Sequence, residues 1–301
     1  MHRPSLTLAA ILAALLIPAV LTAARPSVEP AANPAVEPDS WRDDSVWYDG
    51  KAEWALYEAE RTIYEETRRY EATIFVNKEQ VDPERTVKAE DWRDESNVEM
   101  FKHTISQIIP AGNYDYRFLT SSYLHTSDLT PFKVMSSSQE DCGTAYREFL
   151  VREGRVEAWQ SNYFPGTGRS EDNYRATSTL AFHELLSLSL RDYPFAADRK
   201  PELTLQLVPS QENNRETRLT PRPARVDYIG RETLEVPYGE LETHHLRVRH
   251  AEDGGATESH FWFAADPSMQ HVMVQYTGPY EVTWRLKRFD RWAYWSDPRP
   301  E

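Results

Sequence analysis

A two-residue period runs through most of this chain and decides what it can fold into. Tyr280, Val282, Trp284 and Leu286 alternate with Glu281, Thr283, Arg285 and Lys287, which puts apolar groups on one side of an extended backbone and charges on the other. A helix would scatter the same set around its circumference. The alternation recurs in Trp54-Leu56, Tyr70-Ala72-Ile74-Val76, Tyr114-Tyr116-Phe118, Leu234-Val236 and Leu246-Val248. Turn-forming residues punctuate these runs at Pro110-Ala111-Gly112-Asn113, Glu153-Gly154, Pro165-Gly166-Thr167-Gly168, Pro237-Tyr238-Gly239, Asp253-Gly254-Gly255 and Gly278-Pro279. The spacing predicts roughly a dozen strands joined as hairpins. With 9 Trp, 16 Tyr and 11 Phe to cover pleated faces, the expected fold is mainly β: one large antiparallel curved sheet or partly open β-barrel spanning residues 45–295.

One segment breaks the period. Ser178 to Arg191 carries Leu180, Leu185, Leu186, Leu188 and Leu190 without proline or glycine, and Ser178 is placed to cap a helix with Glu184 near its first turn. A single inserted helix is expected near residues 178–191, stopped by Pro194. It would either plug one end of the sheet or cover an edge.

The last hairpins fix a register. Leu241 to His250 places His244, Leu246, Val248 and His250 on one face, and Phe261 and Phe263 join that face if the loop through Asp253-Gly254-Gly255 has even length. His245 and His260 then point the other way. His244 and His250 sit about 20 Å apart along the strand at ~3.3 Å per residue, too far to share an ion. No metal site is expected, although His271 could approach either one from a neighbouring strand.

The first 24 residues have the pattern of an export signal: His2 and Arg3, an uncharged run from Leu6 to Leu21, and the small residues Thr22-Ala23-Ala24 before Arg25. Pro18 breaks the apolar helix just upstream and favours cleavage after Ala24. Left uncut, the same run is long enough to anchor the chain in a membrane. Pro26, Pro30, Pro34 and Pro38 make residues 25–44 a Pro-rich disordered spacer, and 296–301 read as a C-terminal tail. The protein is therefore expected outside the cytoplasm, in the periplasm or beyond.

The formal net charge of −14 repels phosphate backbones and anionic lipid surfaces, so nucleic acid is excluded as a partner. The densest basic stretch, Arg215 to Arg225, is interrupted by Glu216, Pro221 and Pro223. Cys142 is the only cysteine. It is expected to be a small packed residue, since Glu140 and Asp141 beside it raise a thiol's pKa.

Catalytic motifs fail on inspection. His183-Glu184-Leu185-Leu186-Ser187 begins like a zinc-protease helix, but serine stands where the second histidine belongs. There is no Gly-x-Ser-x-Gly elbow, Gly166-Thr167-Gly168 lacks the rest of a dinucleotide loop, and no phosphate loop occurs. No catalytic residue, metal or cofactor is assigned. The aromatics Trp54, Tyr114, Tyr116, Phe118, Phe261, Phe263 and Trp284 are the candidates to line a ligand pocket, and a filled core has the same signature.

Residues 226–290 carry a recognisable pattern. "VDYIGRETLEVPYGELETHHLRV", "FWFAADPSMQHVMVQY" and the closing charged-aromatic strand resemble the exported bacterial family termed domain of unknown function 3108, as does Leu190-Arg191-Asp192-Tyr193-Pro194-Phe195. The resemblance covers residues 46 to 295, most clearly after Leu180, and its motifs are turns and strands. It implies a β-rich envelope domain with a lipocalin or lipoprotein-carrier outline, and it supplies no catalytic residues.

Together these features lead to an exported, non-catalytic envelope protein that binds an apolar or amphipathic, lipid-like small molecule inside its sheet. Two alternatives stand beside it: a structural module that binds another envelope protein, and a secreted hydrolase with a dispersed carboxylate or histidine site. Membrane contact is expected only if the N-terminal segment is retained. N-terminal sequencing of the protein exported by its own cell should begin at Arg25, whereas a start at Met1, ahead of the apolar run, would identify a retained anchor.

Overall fold

The computed structural model describes residues 40–165, 168–212, 218–252, 255–279 and 281–300. The signal segment, most of the spacer and Tyr280 lie outside the described residues. In chain order the strands are β1 (Ala52–Ile63), β2 (Glu66–Asp82), β3 (Val87–Lys88), β4 (Val98–Pro110), β5 (Asp115–His125), β6 (Pro131–Glu140), β7 (Gly143–Arg152), β8 (Arg155–Asn162) and β9 (Gly168–Arg175). There follow β10 (Leu180–Phe182), β11 (Leu203–Val208), β12 (Arg222–Val236), β13 (Gly239–Glu252), β14 (Gly255–Ala264), β15 (Met273–Gly278) and β16 (Val282–Trp292). All belong to one 16-stranded sheet, so the alternation is realised as expected, with more strands than the turn signals alone indicate.

The sheet is two meanders joined at the chain's extremes. One runs β10 to β16 and the other from β1 to β9, with β3 pairing only to β2, and β16 pairs antiparallel with β1 from Trp292↔Ala52 to Thr283↔Glu60. The free edges are therefore β9 and β10, which are consecutive in sequence. The sheet does not close into a barrel. All strand pairs are antiparallel except β10 with β11. Each turn signal read from the sequence falls between paired strands, including the two-residue turn Glu153-Gly154, where both residues have φ > 0 (52° and 71°).

Curvature brings distant strands together over one face. Phe149 of β7 meets Phe182 of β10 at 5.0 Å between ring centroids, although most of the sheet separates them along its hydrogen-bonded order. The concave face is apolar towards β14–β16 and becomes polar across β5–β8, where Thr120, Ser122, Ser136, Ser138, Arg147 and Gln160 are all buried. Those groups are too wet in character to pack on their own. They are covered by the segment after β11, whose Gln211 carbonyl accepts Arg147 Nη1 at 2.8 Å and whose Leu219 carbonyl accepts the Tyr174 hydroxyl at 3.0 Å.

The inserted helix differs from expectation at its start. Leu180–Phe182 is strand, paired to Gln206–Val208, and the helical turns occupy His183–Leu185 (3-10), α1 (Leu186–Ser189) and Leu190–Asp192 (3-10). Ser178 caps nothing, because Leu180 and Phe182 use their period-two spacing to extend the sheet before the chain turns inward. The helical stretch lies within the concavity, with Leu185, Leu186 and Leu188 fully buried. Arg191 fixes it there: Nη2 and Nη1 fork onto the two Glu53 carboxylate oxygens at 2.7 and 2.9 Å, and Nε donates to the Ser187 carbonyl at 3.2 Å. Both side chains are almost fully buried, at 2% and 1% exposure.

Two further expectations are corrected, for the end of the spacer and for Cys142, and the tail gains contacts. Ser40–Asp44, assigned to the spacer, is ordered against the sheet, with Trp41 stacked on Phe101 at 5.4 Å and its indole N–H donating to Asp192 at 3.0 Å. The 296–301 tail is also partly tied down, since Asp297 O accepts the Trp292 indole N–H and the Arg299 guanidinium lies 5.7 Å from the Trp54 ring. Cys142 is exposed at the β6–β7 turn, where no core is available to take it. Its thiol donates to Glu140 at 3.1 Å, and that contact holds its pKa up, as the adjacent acids suggest.

Arg191→Met would leave the Glu53 carboxylate buried and unpaired, and should cost about 3–5 kcal/mol in urea unfolding. Replacing Glu53 with Met in the same chain should recover most of that loss, because a buried ion pair and a packed apolar pair differ little in net stability.

Candidate functional site

Where α1 and the segment after β11 fail to fill the concavity, a cavity of ≈ 120 Å³ remains. Its apolar wall is a cross-strand ladder set by register: Phe261 pairs with Tyr276, Tyr276 with Trp284, Trp284 with Ala59, and Ala59 with Tyr70. Aromatic neighbours at such positions attract one another beyond their buried area. Ala59 is the one small member, and across the space above it the Trp284 indole N–H donates to the Tyr70 oxygen at 3.2 Å. Phe261 and Tyr276 lie 4.9 Å apart, and Tyr276 and Trp284 meet edge to face at 5.9 Å, forming a corner.

The polar wall comes from three other elements. From Trp284, the relay continues as Tyr70 O–H donates to Gln107 Oε1 at 3.0 Å, and Gln107 Nε2 donates to Glu212 Oε2. Glu184, at the first helical turn, accepts Ser210 O–H at 2.7 Å and Gln211 N–H at 2.6 Å through Oε1. Those two bonds hold the segment that delivers Glu212 into the cavity. His183 shares a hydrogen bond with the Tyr276 hydroxyl at 3.2 Å, and His250 and Arg61 complete the lining.

Burial sets the charge of this wall. Loss of hydration, reinforced by the neighbouring Glu184, pushes the Glu212 carboxyl up to about 8, and burial raises Glu184 as well. Desolvation, with His250 nearby, drives His183 down to about 3, so it is neutral near pH 7. The cavity thus couples an aromatic corner to two carboxyls, one of which carries a proton at neutral pH.

Of the candidate pocket aromatics, Phe261 and Trp284 line the cavity. Phe263 lies 6.3 Å from Phe261 in a stacked arrangement, fully buried behind it, and Phe118 is core beneath the Arg61 guanidinium at 5.9 Å. Tyr114 and Tyr116 do not line the cavity; their hydroxyls and that of Tyr64 are linked at 3.2 and 3.0 Å. Trp54 is on the opposite face of β1 from Tyr57, packed against Trp292 at 5.6 Å and Arg288. The last pairing strands follow the expected parity, with His244 opposite Phe263 and Leu246 opposite Phe261, while His245 and His260 meet on the other face at 2.8 Å. His271 does approach His244, their centroids 6.4 Å apart, with the Phe195 ring near both.

Sequence reasoning missed the polar wall. In the sequence His183 and Glu184 stand out as a broken zinc motif, and Glu184 also as a residue near the start of a helix. Glu212 sits in Ser210-Gln211-Glu212-Asn213, whose composition reads as solvent-exposed turn, and nothing local signals its burial. Among the described residues, no group of three or more His, Cys, Asp or Glu is arranged to hold a metal ion.

A wider depression on another part of the surface is bordered by Trp92, Trp295, Tyr294 and several lysines. Three of its four lysines are already matched: Lys78 pairs with Glu99 at 3.2 Å, and Lys88 and Lys102 both reach Glu79 at 3.4 Å, with Lys51 the fourth. The concave cavity, with its buried carboxyls, is the candidate site.

A carboxyl whose folded pKa is raised stabilises the fold below its unfolded pKa and loses that contribution as pH climbs through the folded value. Glu212 therefore makes stability decline between about pH 4.5 and 8. His103 and His183, both lowered to about 3, act oppositely: their contribution is complete above 6.5 and is lost as pH falls towards 3. Thermal unfolding of the native chain should weaken from about pH 6.5 to 8.5, and Glu212→Gln should flatten that limb while leaving the acid limb in place. Comparison with known proteins finds no matching family model, curated protein or solved structure, so the chemistry of this cavity is what bears on function.

Proposed function

We propose that this chain is an exported binding protein that takes the apolar end of a small amphipathic molecule into the concave cavity of its open sheet. The observation that carries the reading is the cavity's division into an aromatic wall, Phe261, Tyr276 and Trp284, and a hydrogen-bonding wall, Gln107, Glu184 and Glu212. Binding pockets combine apolar lining with a few convergent polar groups in this way. Export is inferred from the N-terminal sequence, and the envelope setting also from the resemblance to an exported β-rich family. No helix of the described residues is long and apolar enough to cross a membrane.

Size narrows the lipid-like ligand of the sequence reading. A dry engineered cavity of about 150 Å³ holds benzene, so the ≈ 120 Å³ available here suits one ring or a short chain. The remainder of a longer ligand would extend through the mouth beside Val282 and Pro279, which line it. A perturbed carboxyl in a cleft also fits acid–base chemistry, and Glu212 gives the hydrolase alternative its one specific support.

Native mass spectrometry of protein purified from its own envelope should show a small organic adduct, and the apo protein should enhance the fluorescence of the neutral dye N-phenyl-1-naphthylamine. Val282→Trp, which fills the mouth, should abolish both signals with unchanged thermal unfolding. A clean apo mass together with no dye response in the native chain would refute the reading.

A further inference from the structure

We infer that the ligand of this cavity carries a substituted ammonium group attached to its apolar part. This deepens the binding reading above and rests on it. Two buried carboxyls face the cavity with one oxygen each left over. Glu184, 3% exposed, uses Oε1 for Ser210 and Gln211 and has no hydrogen-bond partner for Oε2; Glu212 uses Oε2 for Gln107, with the Thr120 hydroxyl also beside its carboxyl, and has no partner for Oε1. Buried oxygens left unmade cost more than ordinary hydrogen bonds return, so such a pair is poised to accept. An ammonium N–H supplies the missing donor, and its charge adds to that of Arg61, which already favours the ionised Glu212.

The aromatic wall supports the same chemistry. The edge-to-face corner of Tyr276 and Trp284, flanked by Phe261 and Tyr70, sets ring faces and edges around the space the carboxyls border. Cations bearing carbon substituents bind among such rings through the π-face charge, and the attraction grows when water is excluded. A bare metal ion would want oxygen or nitrogen donors where this wall has carbon. An anionic head would meet two carboxyls. The cation that borders the cavity, Arg61, has a guanidinium nitrogen 3.4 Å from the Glu212 backbone carbonyl and its charge over the Phe118 ring.

The remaining groups facing the site are compatible. His183 is neutral near pH 7, and the Tyr70 and Tyr276 hydroxyls are held protonated by burial. His250 lines the cavity beyond His183, and His103 and Arg191 lie behind Ser187, bonded to its hydroxyl and carbonyl. With Glu212 raised to about 8, a cation that binds there must displace a proton at neutral pH, so its affinity rises with pH until that carboxyl has ionised.

The test is a matched series of 2-phenylethylammonium, 2-phenylethanol and phenylacetate, each displacing N-phenyl-1-naphthylamine from the full chain. The ammonium should bind at least about tenfold more tightly than the alcohol at about pH 8.5, with an affinity that drops about tenfold or more at about pH 6. In Glu212→Gln the ratio of ammonium to alcohol affinity should fall towards one, and circular dichroism reports whether that variant is folded. If it is not, the pH dependence of the native chain decides alone. Alcohol or phenylacetate binding as tightly as the ammonium in the native chain overturns this inference and leaves the binding reading intact. Failure of the dye and of all three compounds to bind overturns both.

Discussion

The forked ion pair between Arg191 and Glu53 is the constraint around which the interior is arranged. A lone charge on the concave face of a sheet would be expelled or neutralised, and a lone arginine on a short helix would turn towards water. Paired, they hold the helical insert against β1. The insert in turn positions His183 and Glu184 at its leading end, and Glu184 fastens the segment that covers Arg147 and brings in Glu212. The cavity is the space left over when these polar ties, rather than apolar filling, determine where the insert sits.

That origin explains the mixed character of the lining. Strands β14, β15 and β16 contribute an aromatic ladder because their inward positions obey the period-two rule, and Ala59 on β1 interrupts the ladder at the point where space is needed. The opposite wall is less regular. Gln107 reaches it from β4, and its two carboxyls come from a helical turn and an irregular segment, tied together where Glu184 accepts the Gln211 N–H. Regular pairing supplies the hydrophobic half and irregular chain supplies the half that can recognise a polar group, as is usual where loops carry function on a rigid scaffold.

Most of the sheet was legible from residue spacing, and the exceptions have physical causes. Tyr70, Phe261 and Trp284 face inward as alternation requires. Trp54 does not, because β1 is covered on both faces: Glu53 points to Arg191 of the insert while Trp54 packs under Arg288, Trp292 and Arg299, so apolar character no longer marks one side. The helix starts late because Leu180 and Phe182 are spaced as on one face of a strand and pair with β11, while the leucines from Leu185 onward carry the helical turns. Glu184 and Glu212 were hidden because a carboxylate's burial is dictated by what folds over it, which is absent from its neighbours in sequence.

The pairing of β1 with β16 also bears on the order of assembly. Every other neighbour in the sheet is joined by a connection that closes early and locally, so each meander can zip from hairpin to hairpin. Joining Ala52 to Trp292 instead asks the chain to bring together its two most distant strands, at the entropic cost of closing nearly the whole polypeptide into a loop. Until that contact forms, β1 and β16 are bare edges able to template pairing with another molecule. The junction of the two meanders is thus the slow, long-range step of folding and the interval in which the chain is most open to aggregation.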